Sequence, residues 1–511
     1  MMRNGVVGIS AVALLAQVAS AEPVSREQVE AALPELRRMA ESSVASGGVP
    51  GLAIAVVHDD AVVFLDGFGL RAADKPERVG ADTVFQLASM SKPISSTVVA
   101  GLVSKGLVDW DSKVSAIDPV FQLHDPYPSA EVTVRDLFNH RSGLPGSAGN
   151  DLEDIGFDRE TVMHRLRLVP PWASFRAGYS YSNAGLTAGA LAAAAPSGKS
   201  WEAVADEMLF APLGMATASF RHADFAAHAD AAALHIPVDG KWTALLTRDA
   251  TVQAPAGGAS ASARDLGAWM RLELANGLFG GERLISAEAL AQTHVPLMAR
   301  GKNPVTGAPE FYGLGWNVEY GRHGVTWGHA GAFSVGARTL VTLWPDSDLG
   351  IVILANAFPT GVPEGISDSF GDLVFDGKVQ TDYFGPWNGL YAGLFAPAVE
   401  AAKAAFGAPP ADASAQLPAS AYVGTYANDY VGEAVVSAEG DMLTVAVGPT
   451  GKTRYPLAFF DRDTFLYYPS PELPDVPSPL RFRIGPDGKA DAMTMDSLDA
   501  NGLGTLLRRA P

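Results

Sequence analysis

Two β-rich blocks lie far apart in this chain, and their separation restricts the fold more than any other feature. The first, PGLAIAVVHDDAVVFLDGFG (50–69), reads as two strands around Asp59-Asp60, a pair suited to a hairpin turn. The second packs FYGLGWNVEY, HGVTWGHAG, ARTLVTLWPDS and LGIVILANA into residues 311–357, again as short β-rich runs joined by turns. From about residue 110 to 310 the pattern is helix and loop, punctuated by HRSGLPG (140–146) and PAGGASASARDL (255–266). The two blocks are expected to share one antiparallel sheet, with the intervening helices as a separate layer. That is an α+β arrangement, not an alternating βαβ one.

Helical spacing also marks VSREQVEAALPELRRMAESSVASG (24–47), which Gly47-Gly48 should end, and FQLASMSKPISSTVVAGLVSKGL (85–107). A third helix, PWNGLYAGLFAPAVEAAKAAFG (386–407), runs into the Pro- and Ala-rich stretch APPADASAQLPAS (408–420). Beyond it the character changes to short strands at regular intervals, expected to form a separate all-β barrel or sandwich of roughly 90 residues. A chain of 511 residues is long enough for more than one core. The expected division is 1–21, 22–407, 408–420 and 421–511.

The first segment reads as a secretory signal. MMRN carries a positive charge, GVVGISAVALLAQVA is a short apolar run, and Ala19-Ser20-Ala21 is a small-x-small site with cleavage expected after Ala21. A retained anchor is the alternative; no other stretch approaches a membrane span of about 20 apolar residues. The expected location is therefore periplasmic or secreted. The chain has no cysteine, which excludes disulfides and a thiol nucleophile. Its formal net charge of −19 argues against nucleic acid as a partner.

Several motifs are decoys. There is no Gly-x-Ser-x-Gly elbow. VAVGPTGKTRYP (445–456) imitates a phosphate-binding loop, but Ala446 stands where that loop requires glycine, so a hairpin turn is expected. His222, His228 and His235 lack a fixed third ligand and read as surface histidines, not a metal site.

FQLASMSKPISS (85–96) carries more chemistry. Of eleven lysines only Lys92 has a serine three residues before it. On a helix, positions three apart share a face, so Lys92 can reach the Ser89 hydroxyl. Serine is a poor nucleophile until a base takes its proton, and a desolvated lysine can be that base. Pro93 is tolerated if it falls in the first turn, which places Ser89 at or just before the helix N-terminus. Alone, Ser89 would read equally as a helix cap. Two further elements follow: Tyr181-Ser182-Asn183 ahead of a helix, and His329-Ala330-Gly331, expected at the start of a strand.

Serine–lysine, then tyrosine–asparagine, then a basic residue and glycine is an order that resembles the class C β-lactamase, D,D-peptidase and family VIII esterase superfamily. VRDLFNHRSGLPG, FRAGYSYSNAG, PAGGASASARDLGAW, FYGLGW and GHAGAFSVG also resemble its signatures, in its order, over roughly residues 25–385. The tail resembles an accessory domain of uncharacterised members. The resemblance implies an antiparallel sheet flanked by helices plus a mainly helical subdomain. It also implies Ser89 as the acylated nucleophile, Lys92 as base or relay, and Tyr181 as proton shuttle. Asn183 would orient Lys92 or the substrate amide. The backbone N–H groups of Ser89 and Ala332, the latter following Gly331, would form the oxyanion hole.

Two departures matter. His329 stands where penicillin-active members usually have lysine, and a mostly neutral histidine holds an anion less reliably. Ala88 replaces a common glycine, a change expected to disturb little. The expectation is an exported serine hydrolase working through an acyl-serine on peptide or amide bonds, including those of D-residues. It needs no cofactor or metal. A family VIII carboxylesterase, a weak β-lactamase and a non-catalytic penicillin-binding-like receptor are the alternatives. The partner is a small peptide, amide or ester.

Overall fold

The computed structural model describes residues 24–470 and 476–510. The expected signal segment and its cleavage point lie outside the described residues, among which no helix is long and apolar enough to cross a membrane. The first helix, Arg26–Ala45, starts at a reciprocal cap: Ser25 Oγ accepts from the Gln28 N–H, and the Gln28 side chain accepts from the Ser25 N–H. It gives way to Gly47 at φ +76°, the left-handed conformation that favours glycine.

An antiparallel eight-stranded sheet follows from both β-rich blocks. Its order is Ala61–Gly69, Gly51–His58, Leu349–Ala355, Ala337–Trp344, Gly324–Phe333, Asn317–Gly321, Pro309–Tyr312 and Met298–Lys302. Leu52 pairs with Ala355 and Val57 with Gly350, so strands some 300 residues apart in sequence are neighbours in the sheet. Asp59 and Asp60, at φ 50° and 53°, make the two-residue turn whose twist matches that of the flanking strands. One sheet face is covered by Arg26–Ala45 and Val362–Asp376, with Val29, Leu36, Ile353 and Phe370 buried between them. The other takes Ser91–Ser104 and Ala263–Leu274, whose Val98, Leu102 and Trp269 fill a core with Val341 and Leu354.

Eight strands from Gly424–Asn428 to Thr505–Arg508 close into an antiparallel barrel. Closure, with Ala427 paired to Leu507, settles the earlier choice between barrel and sandwich and leaves no free edge. The segment that imitates a phosphate loop is a tight turn, Pro449–Gly451, between two barrel strands. The barrel is not a detached unit. Leu152, Val162 and Leu166 of the helical layer share one apolar core with Tyr426, Val431 and Val445 of the barrel. At its margin the Tyr430 hydroxyl donates to Asp151 Oδ1 at 2.6 Å and accepts from the Gly149 N–H at 3.3 Å.

Two expectations are corrected. The His-Ala-Gly triplet does not begin its strand; the strand starts at Gly324 after the Arg322-His323 turn, and the triplet lies in its second half. His235 is not a surface histidine. Its helix stops at Ala227, and the chain then carries His235 inward, where Nδ1 donates to the Asn356 carbonyl at 2.8 Å and Nε2 accepts from the Ala73 N–H at 3.0 Å.

Burial raises the Asp151 carboxyl to about 6, against the ordinary 3.8. The folded state therefore binds this proton more tightly than the unfolded chain, and the group's contribution to stability falls as pH rises from about 4 to 6. Two units correspond to about 3 kcal/mol at most. Asp151→Asn should flatten the fall in unfolding free energy across that window, measured by urea titrations at pH 4, 5, 6 and 7; parallel curves for the two proteins would refute the assignment.

Candidate active site

Ser89 lies in a single 3-10 turn, Ala88–Met90, directly before the helix Ser91–Ser104, so Pro93 falls in the first turn of that helix. Ala88 is fully buried and has φ +48°. A left-handed residue with a Cβ costs about 1–2 kcal/mol, a strain that residue size alone does not reveal. The surroundings hold the turn in place. Ser91 Oγ donates to the Ala88 carbonyl at 2.6 Å and accepts from the Ala259 N–H at 2.9 Å. Thr339 Oγ1 donates to the Leu87 carbonyl at 2.8 Å. Strain at a position so tightly determined marks a site where direction of a side chain matters.

The strand Gly324–Phe333 presses on this turn at Gly331. A Cβ at Gly331 would lie 2.1 Å from the Leu87 carbonyl oxygen and 2.4 Å from Thr339 Oγ1, so only glycine permits the approach. The Ser89 and Ala332 segments are thereby brought side by side. Ala332 itself is exposed.

Lys92 is fully buried. Its Nζ lies 3.1 Å from Ser89 Oγ, 2.7 Å from Asn183 Oδ1 and 2.8 Å from the Ala256 carbonyl oxygen. Burial alone pushes its pKa well below the usual lysine value, because no carboxylate offsets the lost hydration. A neutral amine has two N–H bonds and one lone pair. Two of the three neighbours, Asn183 Oδ1 and the Ala256 carbonyl, can only accept, so the lone pair is left for the Ser89 hydroxyl. Asn183 is fixed as the first residue of the helix Asn183–Ala194, with Ser182 as its cap.

The Tyr181 ring lies 4.5 Å from Lys92 Nζ, and its hydroxyl interacts with the Ser89 side chain. Burial raises the Tyr181 pKa, so this phenol keeps its proton. His140 packs against Tyr181 with ring centroids 4.6 Å apart, and its Nδ1 accepts from the Ser182 N–H at 3.0 Å. His329 is buried, and its Nδ1 donates to the Ala330 carbonyl at 2.7 Å, which leaves Nε2 to accept from the Tyr312 hydroxyl at 3.1 Å. Burial lowers the His329 pKa to about 3, so the ring is neutral.

The structure thus gathers Ser89, Lys92, Tyr181 and Asn183 into direct contact, places His329 with its ring 6.3 Å from that of Tyr181, and sets Gly331 against the serine turn. Sequence reasoning gave no role to Tyr312, His140 or the Ala256 carbonyl. Each lies in a stretch it had quoted (FYGLGW, HRSGLPG and PAGGASA), but a stretch does not say which member faces inward. Ala88→Gly should leave stability within about 1 kcal/mol of the parent, since relieved strain and added chain entropy oppose each other. Ala88→Val, β-branched and at positive φ, should cost more than about 2 kcal/mol in a denaturant titration; equal costs for the two would sink the strain argument.

Comparison with known proteins bears on family and fold. The Beta-lactamase family model matches residues 36–370, and a domain of unknown function (DUF3471) matches residues 408–505. An unguisins hydrolase of Aspergillus campestris is 25% identical over 467 residues, covering 86% of this chain and 85% of that protein. A second unguisins hydrolase, from Aspergillus violaceofuscus, is 27% identical over 184 residues, covering 34% of this chain and 32% of that protein. Among solved structures, the octameric penicillin-binding protein homologue from Pyrococcus abyssi superposes with a TM-score of 0.56 at 18% identity, over 93% of this chain and all of that one. SurE gives 0.57 at 21% identity, over 94% and 99%. The chain belongs to the Beta-lactamase family, whose members are serine hydrolases.

Proposed function

We propose that this chain is an exported hydrolase that cleaves peptide or amide bonds through an acyl-enzyme on Ser89, with residues 22–407 carrying the chemistry. The observation that carries the reading is the buried Lys92 amine, 3.1 Å from Ser89 Oγ and unaccompanied by a carboxylate. Lys92 takes the Ser89 proton as the hydroxyl attacks a carbonyl carbon. Tyr181, protonated at rest, passes its proton to the departing amine and then takes one from the incoming water, while Lys92 returns its proton to Ser89 as the acyl bond breaks. The N–H groups of Ser89 and Ala332 hold the developing oxyanion, a contribution of about 3 kcal/mol per donor. Asn183 keeps the amine aimed.

His329 supports the choice of substrate. A neutral ring tied to Tyr312 supplies no fixed cation for the carboxylate of a β-lactam. The absent charge-assisted contact is worth about 1.5–3 kcal/mol, or roughly ten- to hundredfold in affinity. The fungal relatives bear the name unguisins hydrolase, and SurE has been solved with D-Leu. Both favour peptides, D-residues included, over simple esters.

Ser89→Ala should abolish both turnover and the labelling of that peptide by a fluorophosphonate. An adduct elsewhere, with turnover intact, would dismiss the acyl-serine. Lys92→Arg, which cannot shed its proton near neutrality, should lower kcat/KM by about 10²–10⁴. For the parent, kcat/KM should climb with pH through a pKa well below that of free lysine, because the active form is the neutral amine. On a panel of D-aminoacyl amides, p-nitrophenyl esters and a chromogenic cephalosporin, the amides should lead in rate relative to their intrinsic reactivity; a cephalosporin preference would reverse the substrate assignment.

A further inference from the structure

The loop that ends on Tyr181 is zipped to residues 140–143 by its backbone. Trp172 N–H donates to the Gly143 carbonyl at 2.9 Å, Arg176 N–H to the Arg141 carbonyl at 2.8 Å, and Ser180 N–H to the His140 carbonyl at 2.9 Å. A buried carboxylate anchors both segments: Asp136 accepts from Arg141 Nε at 2.6 Å and from Arg176 Nη2 at 2.7 Å.

His140 carries the zip one step further. Its Nδ1 accepts from the Ser182 N–H at 3.0 Å, and its ring lies against that of Tyr181, centroids 4.6 Å apart. One residue therefore takes the amides on both sides of Tyr181 and backs the phenol between them. It does so at φ +61°, a left-handed conformation unfavourable to any residue with a Cβ. Its Nε2 is buried with no hydrogen-bond partner among the described residues. Burial pushes its pKa well below the usual histidine value, so the ring is neutral and Nδ1 is free to accept. Backbone strain and an open buried donor both oppose stability, and strain of this kind clusters at functional sites.

We infer that His140 is a positioning residue for proton delivery: by gripping the amides on either side of Tyr181, it aims the phenol at the leaving amine. The inference rests on the acyl-serine reading and deepens it, because it separates making the nucleophile from expelling the leaving group. Making the nucleophile belongs to Lys92, whose amine is held by Asn183 and the Ala256 carbonyl. Asn183 lies inside the helix Asn183–Ala194, whose start is fixed by Ser182 Oγ accepting from the Gly185 N–H at 3.1 Å. Tyr181 lies ahead of that helix and depends on the zip. When the C–N bond of the tetrahedral intermediate breaks, the phenol O–H bond breaks with it and the proton goes to nitrogen. The phenolate is reprotonated by the incoming water. An amine cannot depart without that proton, whereas p-nitrophenolate leaves as the anion.

The test compares kcat/KM, which reports acylation, for the methylamide and the p-nitrophenyl ester of N-acetyl-D-alanine. His140→Ala should lower the amide value by about 10²-fold or more, and at least about tenfold more than the ester value. His140→Asn, whose Oδ1 takes the place of Nδ1 and which tolerates positive φ, should restore at least about tenfold of the amide loss. If His140→Ala does not fold, His140→Phe, with a ring but no acceptor, decides in its place. Equal losses on the two substrates, as a merely structural role would give, or no rescue by asparagine would overturn the inference. Ser89 labelling by a fluorophosphonate in the parent keeps the two readings apart. A labelled serine with equal losses defeats His140 alone, and an unlabelled serine defeats the acyl-serine reading and His140 with it.

Discussion

A lysine amine buried without a carboxylate is the constraint on which this structure turns. An ammonium taken out of water unpaired costs several kcal/mol, so Lys92 sheds its proton instead of its burial. Everything around it is arranged to make the neutral form tolerable. Asn183 is placed by a helix cap, the Ala256 carbonyl by a tight segment that Ser91 and Ser95 tie to the nucleophile helix, and Tyr181 by His140 behind it. The remaining direction of the amine is Ser89. Removing any one support changes the surroundings of the lysine without touching the serine.

His329 follows the same logic from the other wall. A protonated ring here would be a buried cation with no carboxylate beside it, and the tautomer of the neutral ring is fixed by the Ala330 carbonyl and the Tyr312 hydroxyl. Lys92 and His329 therefore bring no charge to the cleft, and its nearby cation is Arg300, over the rings of Tyr179 and Tyr312. Such a site discriminates by shape and hydrogen bonding more than by attraction to an ionised group.

Much of this was legible in the sequence because its determinants are local. A three-residue spacing in a helix sets Lys92 against Ser89, a serine cap fixes Asn183, and Asp59-Asp60 announces its turn. The shared sheet was legible from two β-rich blocks within which the strands are joined by turns too short for crossovers. What escaped depends on which side of a loop faces inward. His140 reaches Ser182, and Tyr312 reaches His329, only because segments 42 and 17 residues apart fold back on each other. His235 looked superficial because the sequence gives it no ligand partner and does not mark the inward turn that follows Ala227. Ala88 looked harmless because residue size is visible in a sequence and backbone sign is not.

The core that the barrel shares with the helical layer bears on how the chain is made. Tyr430 and Asp151 are separated by 279 residues. At about 5–20 residues per second, the apolar face around Leu152, Val162 and Leu166 is translated roughly a quarter of a minute to a minute before its cover exists. Throughout that interval the nascent chain carries an open hydrophobic surface beside finished helices. Its folding is therefore tied to the synthesis of the barrel, and a chain halted before residue 424 leaves that apolar face uncovered.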